Sequence, residues 1–138
     1  MTNDEWPEHV RRMWADDRAS QRLGMMLIAV APGRATVSMP VTPDMVNGHA
    51  IGHGGLTFAL ADTAFALACN SHGPVTVAHS ADIRFHAPVH VGDELVATAV
   101  ERSREERRGV YDVEVTAAGR LVASFTGRST QLRAEAAS

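Results

Sequence analysis

The sequence predicts an α+β fold: a curved antiparallel β-sheet wrapped around one long central helix, with a further helix at the N-terminus. Three observations carry that expectation. Leu56 to Cys69 is an apolar run dominated by Ala and Leu, too long for an ordinary strand and favourable to helix. That helix is apolar almost all round, so most of its sides must be covered. Most of the remaining chain alternates in the manner of strands, and a sheet is what can cover a lone helix on most sides.

The elements follow in order. A first helix is expected over about 4–20, where Val10, Met13, Trp14 and Asp17 fall on one face and Pro7 suits the first turn. Leu23 to Val30 and Arg34 to Val41 read as a hairpin about Pro32-Gly33, with Ala35, Val37 and Met39 on one side of the second strand. A Gly-rich loop, Asn47 to Gly55, leads into the central helix at about 54–71, which Gly73-Pro74 closes. In Val75 to Phe85 the residues Val77, His79, Ala81, Ile83 and Phe85 are expected to share one face. Glu94 to Arg102, Val110 to Ala117 and Leu121 to Leu132 follow, joined by a charged turn at Ser103 to Arg108 and by Ala118-Gly119. The four strands read as an antiparallel meander. Residues 134–138 read as a frayed tail. No repeat and no linker interrupts the chain, so 1–138 is expected to be one domain, as its length of 138 residues suggests.

Composition narrows the function. Thirteen basic residues against 16 acidic ones give a net charge of −3, without the basic surplus that a general nucleic-acid binder needs. No stretch is long and apolar enough for a transmembrane helix, and the acidic start is unlike a signal peptide, so a cytoplasmic location is expected, with no membrane partner. The single Cys69 excludes an internal disulfide and a multi-cysteine zinc site. Every basic residue is Arg, which excludes Schiff-base chemistry and a P-loop lysine.

Asp62 stands out, because it sits in the most apolar part of the chain. A buried, unpaired carboxylate costs several kcal/mol. Either a partner elsewhere neutralises it, or it is held there to act as a base, with burial raising its proton affinity. The loop before the helix matches neither the dinucleotide fingerprint nor the P-loop. Gly54 and Gly55 place free backbone N–H groups at a helix N-terminus, which suits a polarised carbonyl oxygen; a tight loop feeding a buried helix is the other reading. Asp62 lies eight residues beyond Gly54, a rise of about 12 Å, so both can act on one substrate only if a second copy of the chain supplies one of them.

Other candidates are weaker. His49 and His53 are four apart among glycines and His86 and His90 flank Pro88, so no metal site is expected. Cys69 reads as core, and Arg102 to Arg108, with four Arg and two Glu, as a solvated hairpin tip. Arg84 is the better candidate to meet a substrate phosphate. Phe58, Phe65 and Met45 read either as an aromatic pocket or as core.

The segment Val46 to Phe65, with its His53-Gly-Gly55 and Ala61-Asp62 pairs, resembles the signature of hotdog-fold acyl-CoA thioesterases, more narrowly the phenylacetic acid degradation type. Ala68-Cys-Asn-Ser71, Gly109 to Val115 and the strand spacing extend the likeness over nearly the whole chain. The resemblance implies a helical sausage in a sheet bun, pairing of sheets into dimers, and usually a dimer of dimers. It implies that Asp62 activates water or attacks the thioester, that the Gly54 amide supported by Asn47 holds the oxyanion, that His53 is the loop histidine, and that Ser80 helps position water. Gly55, Thr63, His79, Ala81 and Arg84 are then expected along the substrate and its coenzyme A. No cofactor is expected beyond that coenzyme A. Asp16-Asp17 departs from the Asn-Asp of some relatives. Two other classes stay open: a hotdog enoyl- or hydroxyacyl-CoA hydratase-dehydratase, and a non-catalytic acyl-CoA sensor.

Overall fold

The computed structural model describes residues 5–133. The expected tail at 134–138, and the first residue of the expected N-terminal helix, lie outside that range. The elements are α1 (Glu8–Asp16), α2 (Arg18–Arg22), β1 (Met26–Ala31), β2 (Arg34–Pro40), a 3-10 turn at Pro43–Met45, α3 (Gly54–Asn70), β3 (Thr76–Phe85), β4 (Glu94–Glu105), β5 (Arg108–Ala117) and β6 (Arg120–Gln131). The strands form one six-stranded sheet in the order β1-β2-β4-β5-β6-β3, with every pairing antiparallel.

The period-two pattern sets the inner face. Ala35, Val37 and Met39 on β2, Leu95, Ala97 and Ala99 on β4, Val113 and Val115 on β5, and Ala123 and Phe125 on β6 are all buried. They close over α3, which packs against β2 to β6. Leu60, Ala61, Ala64, Phe65, Leu67, Ala68 and Cys69 are its buried apolar positions, with Thr57 buried at its start. Small Ala side chains let the sheet come close, and Phe65 fills the deepest part. Its ring lies 5.6 Å from that of Tyr111 and 5.8 Å from that of Phe125. Gly127 makes room for it, since a Cβ there would fall 2.8 Å from the Phe65 ring. Phe65→Ala is expected to cost about 3–5 kcal/mol, read as a lower urea midpoint with an unchanged slope.

Asn70 and Ser71 anchor the end of α3. The Asn70 side chain donates to Thr76 O at 2.9 Å and accepts from Thr76 N at 2.9 Å, which starts β3. Ser71 Oγ donates to Ala68 O at 2.6 Å and accepts from Gly33 N at 2.8 Å, tying the helix end to the β1–β2 turn.

Four features differ from the sequence reading. The first helix is broken at Asp17 (φ −83°, ψ 80°), whose carboxylate accepts from Ser20 N at 3.0 Å and starts α2. An Asp serves better as a cap than as helix interior, and that preference interrupts the periodicity. The meander holds only for β4-β5-β6. The chain leaves β3 through residues 86–93, and β3 lies at the far edge beside β6, because alternation marks a strand but not its neighbour. A bulge between Ala78 and Ser80 breaks the alternation of β3, so Val77, in register with Thr130, and Ala81, in register with Gly127, belong to opposite faces. Finally, β4 and β5 run on through most of the charged segment, leaving only Glu106-Arg107 as the turn. Arg102 pairs with Asp112 across these strands, so the charges decorate a solvated hairpin as expected, with a shorter turn than the pattern suggests.

Candidate active site

The loop from Asn47 to His53 is built to start α3. Asn47 Oδ1 accepts from His49 N at 2.9 Å and from Ile51 N at 3.2 Å, which folds the loop back on itself. Val46 and Gly52 form an isolated bridge, and His53 N donates to Met45 O at 2.7 Å. His53 is the N-cap, its Nδ1 accepting from Gly55 N at 3.2 Å, which leaves the ring proton on Nε2. Leu56 N and Thr57 N both donate to His53 O.

A helix begins with four amides that lack intrahelical partners. Here three of the four are taken, and the Gly54 N–H is the one without an acceptor among the described residues. The Gly55 amide is therefore committed to the cap rather than offered to a ligand. Gly54 also allows a close approach, because a Cβ on it would lie 3.0 Å from Cζ of Phe85. Beside it opens a pocket of about 290 Å³, lined mainly by Ile51, Phe85, Ala87, Pro88, Val89 and Val122.

Asp62 sits half-buried in the middle of α3. No hydrogen bond or ion pair reaches its carboxylate among the described residues. Burial, and then the negative charge of Asp17, push its pKa above the usual carboxylate range. The next residue, Thr63, shares a hydrogen bond of 2.9 Å with Ser20 Oγ, which donates to Asp17 Oδ2 at 2.6 Å. Thr63 is thus engaged by the N-terminal helices. Asp16 is exposed at the end of α1.

The candidates on β3 form a separate group. His79, Ser80, Ala81 and Arg84 are all exposed on this edge strand. Ser80 lies at the bulge in register with Arg128, and Arg84 is in register with Ser124, on the sheet face away from α3. Within one chain none of them bonds to Asp62. Among the described residues nothing pairs with the outer edge of this ten-residue strand, on which Val77 and Phe85 are exposed.

Phe58, Phe65 and Met45 do not line the pocket beside Gly54. Phe65 and Met45 are core, and Phe58 packs edge-on against Phe125 at 5.3 Å. The residues that do line it come from the 47–53 loop, the start of α3, the end of β3 with the stretch after it, and β6, and only the fold brings them together. Cys69 is buried, and burial pushes its thiol up to about 12, which makes it inert. No helix among the described residues is long and apolar enough to cross a membrane.

One helix gripped by a single antiparallel sheet is the hotdog architecture, and an unpaired acid on that helix fits the thioester-cleaving class that the sequence resemblance implied. The thioesterase superfamily model matches residues 49–124. Acyl-coenzyme A thioesterase PaaI of Escherichia coli (strain K12) is 42% identical over 133 residues, covering 96% of this chain and 94% of that protein. The structure of the E. coli PaaI protein from the phenylacetic acid degradation operon superposes with a TM-score of 0.87 at 43% identity, over 88% of this chain and 89% of that one. A mutant of phenylacetic acid degradation protein PaaI from Thermus thermophilus gives 0.82 at 41% identity, over 84% and 100%. The chain belongs to the thioesterase superfamily, and it is a thioester hydrolase.

Proposed function

We propose that the protein hydrolyses acyl-CoA thioesters carrying a phenylacetyl-type group, at sites shared between two copies of the chain. The observation that carries this reading is the separation of two groups that one reaction needs. A carboxylate of raised proton affinity lies two helical turns from the one free amide of the same helix. Eight residues of helix rise about 12 Å, more than a single carbonyl can bridge. The free edge of β3 supplies the natural seam for a second copy, since an exposed strand edge of this length is otherwise open to uncontrolled pairing.

In the mechanism, the thioester carbonyl oxygen accepts from Gly54 N–H at the positive end of α3. Asp62 of the other copy takes a proton from water, and the hydroxide adds to the carbonyl carbon. The tetrahedral intermediate collapses, the C–S bond breaks, and coenzyme A leaves as a thiolate that is then protonated. Direct attack by the Asp62 carboxylate gives the same products through an anhydride that water cleaves. Asn47 and His53 act by shaping the loop that presents Gly54. Ser80 positions the water, and His79, Ala81 and Arg84 lie along the pantetheine and phosphates. The apolar pocket beside Gly54 takes the aromatic ring. Nothing in these steps calls for a cofactor.

Incubation with phenylacetyl-CoA, hydroxyphenylacetyl-CoA and straight-chain acyl-CoA, followed with a thiol reagent, tests the reading. Release of free thiol is expected, with kcat/KM highest for the aromatic acids. Hydration of enoyl-CoA without thiol release would favour a hydratase, and tight binding without turnover a sensor. The His53 geometry stands against a hydratase, because the nitrogen facing its own loop is occupied by the Gly55 amide.

A further inference from the structure

We propose that Asp17 is a positioning residue for this reaction, a fixed negative charge that the Asp17–Ser20–Thr63 hydrogen-bond chain ties to the Asp62 turn of α3, where it keeps Asp62 a strong proton acceptor. The inference rests on Asp62 being the base. The chain is short and continuous. Asp17 Oδ1 accepts from Ser20 N at 3.0 Å, Asp17 Oδ2 accepts from Ser20 Oγ at 2.6 Å, and Ser20 Oγ meets Thr63 Oγ1 at 2.9 Å. Ser20 is buried, and Asp17 and Thr63 are half-buried, so the connection is sheltered from water.

Capping α2 does not by itself require a charge, since Ser or Asn would cap it as well. What a carboxylate adds is a field. Among the described residues Asp17 makes no ion pair, although Arg18 and Arg22 lie in the helix that it starts. Its charge is therefore offset only by the Ser20 hydrogen bonds and not by a cation. Of the elements packed on α3, the α1–α2 junction supplies this group, and after burial its charge is what raises the proton affinity of Asp62. On α3 itself, Cys69 is kept neutral by burial. Two carboxylates held close resist losing both protons, so the fixed one makes the other more basic, and a general base works best when its proton affinity approaches the working pH.

The test uses pH profiles of kcat/KM for the full-length chain and for Asp17→Asn, Asp17→Ser and Asp17→Glu. Asn and Ser keep an N-cap and remove the charge, while Glu keeps the charge. For the two neutral variants the acid limb is expected to move to lower pH. At a pH on that limb each should retain at least about twice the wild-type fraction of its own plateau activity. The limb of Asp17→Glu should stay nearer the wild type. Carboxyl ¹³C NMR of Asp62 gives the same reading without turnover, with an expected midpoint in Asp17→Asn below that of the wild type. An unmoved midpoint and limb in both neutral variants, or failure of both to fold, would overturn the proposal and leave Asp17 as a cap alone. Absence of thiol release from the wild type would instead strike the hydrolase reading, and the NMR midpoint would still decide the coupling.

Discussion

Asp62→Asn is expected to lower kcat for thioester hydrolysis by about 10²–10⁴-fold while raising thermal stability at neutral pH. The first effect follows from chemistry, because an amide cannot accept the proton of water and cannot form the covalent intermediate of the alternative route. The second follows from linkage. The folded-state pKa of Asp62 is raised, by burial first and by Asp17 second. The folded chain therefore holds this proton more tightly than the unfolded chain does. The resulting penalty is absent below the ordinary carboxylate pKa and fully present above the raised one, so it grows as pH rises between them. Asparagine carries no such charge. Melting curves of the two proteins should converge in acid and separate toward neutral pH, with the variant the more stable. A variant less stable than wild type at neutral pH would show that Asp62 is paired in the assembled protein.

Gly54→Pro is expected to cost about 10²–10³-fold in kcat, the usual loss when an oxyanion donor is removed. Proline deletes the one amide of the first turn that has no acceptor. The position tolerates it on local grounds. Gly54 is the first residue of α3, where proline is favoured, and His53 at φ −64° and ψ 125° already has the extended backbone that a residue before proline prefers. The added carbons press on Phe85, but that ring is 57% exposed and can swing outward. Circular dichroism and the melting temperature should stay close to wild type while turnover falls. Unchanged turnover would remove Gly54 from the mechanism.

What the sequence made legible was whatever depends on local pattern. The apolar length of Leu56 to Cys69 marked the helix, alternation marked the strands, and the glycines at 54 and 55 marked the helix start. Asp62 was visible because a charge in such company has no cheap structural purpose. What escaped depends on encounters distant in the chain. The place of β3 at the far edge is a matter of topology. The bulge at His79 needs the register with β6. Asp17 was visible as one face position of the first helix but not as a neighbour of Asp62, which required the helix break and the bond from Ser20 to Thr63. Phe85 had no signal connecting it to Gly54, since only the return of β3 past the loop brings the two together.

One catalytic site draws Asp62 and Gly54 from different copies of the chain in this mechanism, so two inactive variants should restore each other when mixed. Asp62→Asn and Gly54→Pro are unfolded together, refolded together, and assayed against each variant refolded alone. In a mixed pair, one shared site holds both mutations and the other holds neither. Activity well above that of either variant alone is therefore expected. If Asp62 and Gly54 of the same chain served one site, every site in the mixture would carry a lesion, and a mixture no more active than its components would show that the site is not shared between copies.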